Sequence, residues 1–242
     1  MTGDFFRFPH IPHIVWLGEG SPRDDKVLSP TEAEALLVAE VVVEEKLDGA
    51  NLGISVNSDG MLHLQNRGQY LAEPFSGQFK KLTAWLTPRA DDLISMLGGN
   101  LIIFGEWCAA RHSVDYDRLP DYFMVFDVYD RPAMRFWSTS RRNELAALLN
   151  LPVVPDLFRG KTTLAALQSR VMAEASLFRT GTLEGVVIRQ ESSEWLEARA
   201  KLVRPDFTQA ISEHWSRRAI EWNRLAVDWS IEHINKTYQK KL

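Results

Sequence analysis

The chain has 242 residues, 45% of them hydrophobic and 25% charged, with a formal net charge of −4. This is ordinary soluble composition, long enough for one large domain or one domain plus an appendage; its apolar runs are too short to span a membrane, and the lone Cys108 excludes an internal disulfide. The mild overall charge argues against a surface built wholly for nucleic acid, but residues 199–242 carry nine Lys/Arg against five Asp/Glu, which suits local contact with phosphates.

Met1 to Phe8 holds no secretory apolar block, so no signal peptide is expected; with a single thiol this predicts a cytoplasmic location. Residues 1–28 read as irregular, because Pro9 and Pro12 interrupt the apolar residues. His10 and His13 read as packing or surface histidines rather than metal ligands. Arg23 to Lys26 form a charged loop. Ser29-Pro30-Thr31-Glu32 is a capping box with proline at the first helical position, which predicts a helix over 30–38.

Val41-Val42-Val43 then leads into Glu45-Lys46-Leu47-Asp48-Gly49-Ala50-Asn51. A lysine closing a β-branched strand is unusual, since Lys is rarely buried. Partial burial beside other cations would lower its pKa and free its lone pair, making Lys46 a candidate nucleophile. A surface lysine ending a hairpin strand is the plain alternative. Gly49 permits a sharp turn and close approach of a ligand. Residues 51–56 and 61–66 flank Asn57-Ser58-Asp59-Gly60 as a hairpin, and Arg67 leaves its second strand.

Residues 76–97 read as helical, broken near Pro88 and ended by Gly98-Gly99. Leu101 to Trp107 reads as a buried strand in which Glu106 needs a partner. Tyr122 to Tyr129 is another; alternation puts Met124, Phe126 and Val128 on one face, and Phe123, Val125 and Asp127 on the other. Helices are expected over 138–150 and 162–176. Gly160-Lys161-Thr162 is no phosphate loop, because Pro155 stands where that pattern needs glycine. Glu184-Gly185 opens the strand Val186 to Arg189, and Arg199 and Lys201 share one face of a further strand. Beyond Phe207, Ile211, Trp215, Trp222, Leu225, Trp229 and Ile234 recur at helical spacing, predicting a helical extension over 207–242 after a domain over 1–206.

Lys46-Leu47-Asp48-Gly49-Ala50-Asn51 resembles the signature of the covalent nucleotidyltransferases, and Asn51, where DNA ligases and capping enzymes usually carry Arg, resembles the nick-joining RNA ligase branch. Phe104-Gly105-Glu106, the 122–129 strand, Glu184-Gly185-Val186-Val187-Ile188 and Arg199-Ala200-Lys201 resemble that family's later elements, in the family's order. The family usually has Lys at the position of Arg199, and Arg stays charged, so it can clamp phosphate but not donate a proton.

The resemblance implies an α+β nucleotidyltransferase (ATP-grasp-like ligase) fold of two antiparallel sheets flanked by helices, with the nucleotide between them. It implies ATP and Mg²⁺, or Mn²⁺ in its place. Lys46, Lys201 and Glu184 take catalytic roles; Glu45, Asp48, Asn51, Arg67, Glu106, Phe126, Glu184, Arg199 and Lys201 bind the nucleotide; and Glu184 and Asp48 hold the metal. Phe126, or Phe123 in its place, stacks on the base. The implied activity is ATP-dependent joining of RNA 3′-OH and 5′-phosphate ends through lysyl-AMP, in nicked duplex or RNA/DNA hybrid. The short tail suggests docking through a partner protein or self-association by the C-terminal helix. A minimal DNA ligase, or a nucleotide-binding module without end joining, are the alternatives.

Overall fold

The computed structural model describes residues 5–20, 22, 26–209 and 219–226. Ser29 caps α1 (Pro30–Leu37): Glu32 N donates to its Oγ, and Ser29 N donates back to Glu32 Oε2 at 2.8 Å. The capping box thus satisfies two amides that the first helical turn leaves unpaired.

The strands are β1 (Val41–Lys46), β2 (Ala50–Val56), β3 (Leu62–Gln65), β4 (Leu101–Trp107), β5 (Phe123–Asp130), β6 (Arg135–Phe136), β7 (Asp156–Gly160), β8 (Gly185–Glu191) and β9 (Leu196–Val203). They form two antiparallel sheets, ordered β7-β1-β8-β9 and β3-β2-β4-β5-β6. The chain leaves the first sheet at Lys46 and enters the second at Ala50. Only Leu47, Asp48 and Gly49 make the crossing. A Cβ on Gly49 would lie 2.6 Å from the Trp107 carbonyl oxygen, so the crossing needs glycine there.

Each sheet buries one face under helices. Leu52, Ile54, Trp107 and Val125 pack with Trp85 of α2 (Leu82–Leu86), Leu93 of α3 (Ala90–Leu97) and Leu145 of α4 (Thr139–Leu148). Val43 and Ile188 pack with Leu36 of α1 and with Leu167 and Val171 of α5 (Leu164–Ala173). Trp85 is fully buried, and its Nε1 donates to Asp121 at 2.6 Å. Unpaired, that N–H would cost about 1–3 kcal/mol.

The helices predicted over 30–38, 138–150 and 162–176 form, and 76–97 divides into α2 and α3, each preceded by a short 3-10 turn, with Pro88 in the second turn. The short strands β6 and β7 were not legible in the sequence. Strict alternation along β5 also fails. The β4–β5 register steps from Phe104↔Asp127 to Gly105↔Val125, leaving Phe126 as the extra residue of a bulge. Phe123, Val125 and Val128 therefore share one core, across the expected parity. His13 is buried with its ring edge-on to Trp16, in keeping with the packing reading.

After β9 comes α6 (Pro205–Gln209). Residues 219–226, expected within the helical extension over 207–242, instead run as an extended strap. Its backbone is bonded to residues 109–119: Arg111 N to Glu221 O, Asn223 N to Ala109 O, Arg224 N to Tyr116 O and Leu119 N to Arg224 O. These partners replace the bonds a helix would make within itself, so the spacing of Trp222 and Leu225 misleads. Ile211, Trp215, Trp229, Ile234 and most of the charged 23–26 loop lie outside the described residues.

Candidate active site

A cavity of about 710 Å³ opens between the two sheets. The first sheet gives it Lys46, Arg199 and Lys201. The second gives it Asn51, Glu106 and Phe126. Arg67, exposed in the turn after β3, also lines it.

Lys46 Nζ donates to both oxygens of Glu184, at 2.7 and 2.8 Å. Glu184 stands one residue before β8, and the pairing Lys46↔Gly185 brings the two ends together. Gly185 has no room for a side chain, since a Cβ would lie 2.3 Å from the Leu202 carbonyl oxygen. Burial alone would lower the pKa of Lys46, but Glu184, Asp48 and Glu106 outweigh it and raise the value above that of a free lysine. The expected depression by neighbouring cations is therefore corrected: carboxylates surround the amine and keep it protonated. Burial in turn pushes the Glu184 carboxyl up to about 7, against the opposing pull of Lys46 and Lys201. It pushes Glu106 up to about 7 as well, against Lys46.

Glu106 Oε1 accepts from Gly49 N at 2.9 Å, the partner its burial demands. Asp48, expected as a metal ligand, has Oδ2 filled by three donors: Ser113 N at 2.8 Å, Ser113 Oγ at 2.7 Å and Val114 N at 2.9 Å. It clamps the 113–114 turn. Glu45, expected to bind the nucleotide, contributes to the lining, but its carboxylate accepts from Leu177 N at 3.1 Å. Among the described residues no cluster of three or more His, Cys, Asp or Glu is arranged to hold a metal ion. A hard ion held by one carboxylate and substrate phosphates would still suit Glu184.

Asn51 Oδ1 is buried and has no hydrogen-bond partner. A buried acceptor left unpaired costs about 1–3 kcal/mol, and a nucleoside N–H or O–H donor in the cavity would relieve it. Phe126 offers an aromatic wall, while Phe123 is fully buried against Trp85 and belongs to the core. Arg199 is ion-paired with Asp127, and its guanidinium lies 4.7 Å from the Phe8 ring and 4.5 Å from the Phe136 ring. A planar guanidinium can stack between rings where an ammonium cannot.

The sequence reading missed the layer beneath this wall. Arg142 and Arg189 are fully buried, and both donate to the Phe126 carbonyl oxygen, at 2.8 and 3.3 Å. Arg142 also pairs with Glu44 at 2.6 Å, and Arg189 with Asp127 at 2.8 Å. One clue was present: Glu44 follows three valines within a strand, where an unpaired charge is costly. Phe8, buried and lining the cavity, gave no such sign.

Residues 39–203 match the family model described as RNA ligase, which covers more than half of the chain. The chain belongs to the RNA ligase family. Solved structures agree in fold. A Naegleria gruberi RNA ligase with PPi aligns with TM-score 0.59 at 20% identity, over 75% of this chain and 54% of that one. A variant of the same enzyme with ATP and Mn gives 0.56 at 17%, over 76% and 55%. An archaeal ATP-dependent RNA ligase gives 0.55 at 23%, over 81% and 48%. The chain thus spans about half the length of these solved RNA ligases. Comparison with curated proteins gives no match. Among the described residues no helix of this family member is long and apolar enough to cross a membrane.

Proposed function

We propose that this chain is an ATP-dependent RNA ligase that joins 3′-OH and 5′-phosphate ends through lysyl-AMP, with residues 1–206 as its adenylation domain. The observation that carries the reading is the Lys46 amine, set between the two sheets against Glu184 and facing the cavity that holds the unpaired Asn51 oxygen. A nucleotide base fits against Phe126, with Asn51 accepting from the nucleoside and Arg67 and Lys201 facing its phosphates.

Lys46 must part from Glu184 and release a proton to solvent before it can attack. Its nitrogen then bonds to the α-phosphorus of ATP, the bond to the bridging oxygen breaks, and pyrophosphate leaves with the electron pair. Glu184 would hold Mg²⁺ or Mn²⁺, which would supply positive charge to the phosphate oxygens. Lys201 adds a fixed positive charge on the same side. A 5′-phosphate on RNA next takes the adenylate from Lys46, and a 3′-OH displaces AMP to form the phosphodiester. Structures of Naegleria gruberi RNA ligase variants with ATP and Mn support this choice of substrate and ion.

The test is incubation with α-labelled ATP and Mg²⁺, then with nicked duplexes carrying RNA or DNA at the 3′ side of the nick. Label held by the wild type, lost in Lys46→Ala, and released as AMP while nicks with RNA at the 3′ side are sealed supports the reading. Release of labelled AMP with sealing at DNA ends alone overturns the RNA assignment, and no label on the protein overturns the nucleotidyl-transfer assignment.

A further inference from the structure

The 219–226 strap lies outside the family-matched segment 39–203, yet it reaches the nucleophile's turn in two contacts. Asn223 is 4% exposed, in a strap whose neighbours Trp222 and Arg224 are exposed. Its side-chain amide is fully used. Oδ1 accepts from Tyr116 N at 2.9 Å; Nδ2 donates to Cys108 O at 2.8 Å and to Ala110 O at 3.3 Å. Arg224 N bonds the Tyr116 carbonyl at 3.0 Å, so both backbone polar groups of Tyr116 are held by the strap.

Tyr116 is buried, and its hydroxyl accepts from Asp48 N at 2.8 Å. Asp48 lies two residues from Lys46, in the three-residue crossing between the sheets. The same 108–116 loop supplies the three donors to Asp48 Oδ2. Backbone and side chain of Asp48 are both fixed by a loop whose own shape depends on Asn223. Asparagine alone among small side chains offers one acceptor and two donors in this planar arrangement.

We propose that Asn223 is a positioning residue for adenylate transfer: through Tyr116 it sets the Lys46–Gly49 crossing, so residues beyond the family-matched segment complete the active site. This rests on the reading of Lys46 as the nucleophile. Its effect falls on the geometry of attack rather than on nucleotide contacts, because neither Asn223 nor Tyr116 lines the cavity.

The test uses the full chain with Asn223→Ala, Tyr116→Phe and the double variant. Hydrogen exchange at the Asp48 amide reads the relay independently of catalysis. Both single variants should lose protection there by about tenfold or more, while the β1 and β8 amides stay protected. Single-turnover labelling should slow about tenfold at saturating ATP, with half-saturation changed less than about twofold, and the double variant should be no slower than the slower single, as coupled residues require. Unchanged Asp48 protection in Asn223→Ala overturns the proposal. So do multiplicative effects in the double variant, or a defect confined to ATP half-saturation. If Asn223→Ala does not fold, Tyr116→Phe, which keeps the ring packing, decides alone by the exchange and rate criteria. Loss of Asp48 protection in a wild-type-like fold with no labelling of wild type would instead overturn the reading of Lys46 and leave the relay standing.

Discussion

Lys46 and Glu184 meet at 2.7 and 2.8 Å although they are 138 residues apart in sequence. The antiparallel pairing of β1 with β8 creates this contact, and both side chains are largely removed from solvent. Glu184 is also the carboxylate that would hold the metal, so its loss removes positive charge from the phosphate oxygens. Glu184→Ala should fold and still slow lysyl-AMP formation about 100-fold, the scale of losing one group that acts on transition-state charge. Single-turnover labelling at saturating ATP measures this.

Phe126 should matter for binding more than for rate. Phe126→Ala should raise ATP half-saturation about tenfold, the scale of one base–aromatic stacking contact, while Phe126→Tyr stays close to wild type. Equilibrium binding of ATP to Lys46→Ala carrying each change separates affinity from chemistry.

Gly49→Ala places a methyl group 2.6 Å from the Trp107 carbonyl oxygen. The crossing between the sheets must shift, at a cost of about 1–3 kcal/mol. Urea unfolding should show that loss, and labelling should slow because Lys46 and Asn51 flank the displaced turn.

Asp127 gives a pH signature. Burial would raise its pKa, but Arg199 and Arg189 outweigh burial and hold it below the ordinary carboxylate value. A depressed folded pKa contributes stability above the unfolded value of about 3.9, and this is lost as pH falls through the folded value. Asp127→Asn should therefore be less stable than wild type near neutral pH, by about 3–5 kcal/mol for a broken buried pair. The two should converge as pH drops below about 4. Thermal unfolding against pH tests the sign.

The sequence carried the local signals well. Ser29 and Glu32 announced α1, Asn57 to Gly60 announced the β2–β3 hairpin, and Ser138 announced α4, because caps and turns are decided within a few residues. Lys46, Asn51, Glu106, Phe126 and Lys201 line one cavity, and each stood out in the sequence because it lies on a strand within a recognisable motif. What escaped depends on partners distant in sequence. The bulge at Phe126 arises where β5 meets Gly105. Asp48 looks like a free carboxylate until Ser113 and Val114 fold onto it. The strap at Asn223 pairs with residues more than 100 positions earlier, and periodicity cannot report that. The carboxylates around Lys46 come from three separate segments, so the sign of its pKa shift was hidden as well.

The central claim is that the Lys46 nitrogen carries the adenylate. The direct measurement is intact-mass analysis of the full chain after incubation with ATP and Mg²⁺, followed by peptide mapping of the modified residue. The account predicts a gain of one adenylate, confined to the peptide containing Lys46 and absent in Lys46→Ala. Adenylate on a different residue, or an unmodified chain under conditions where ATP binds, would contradict it.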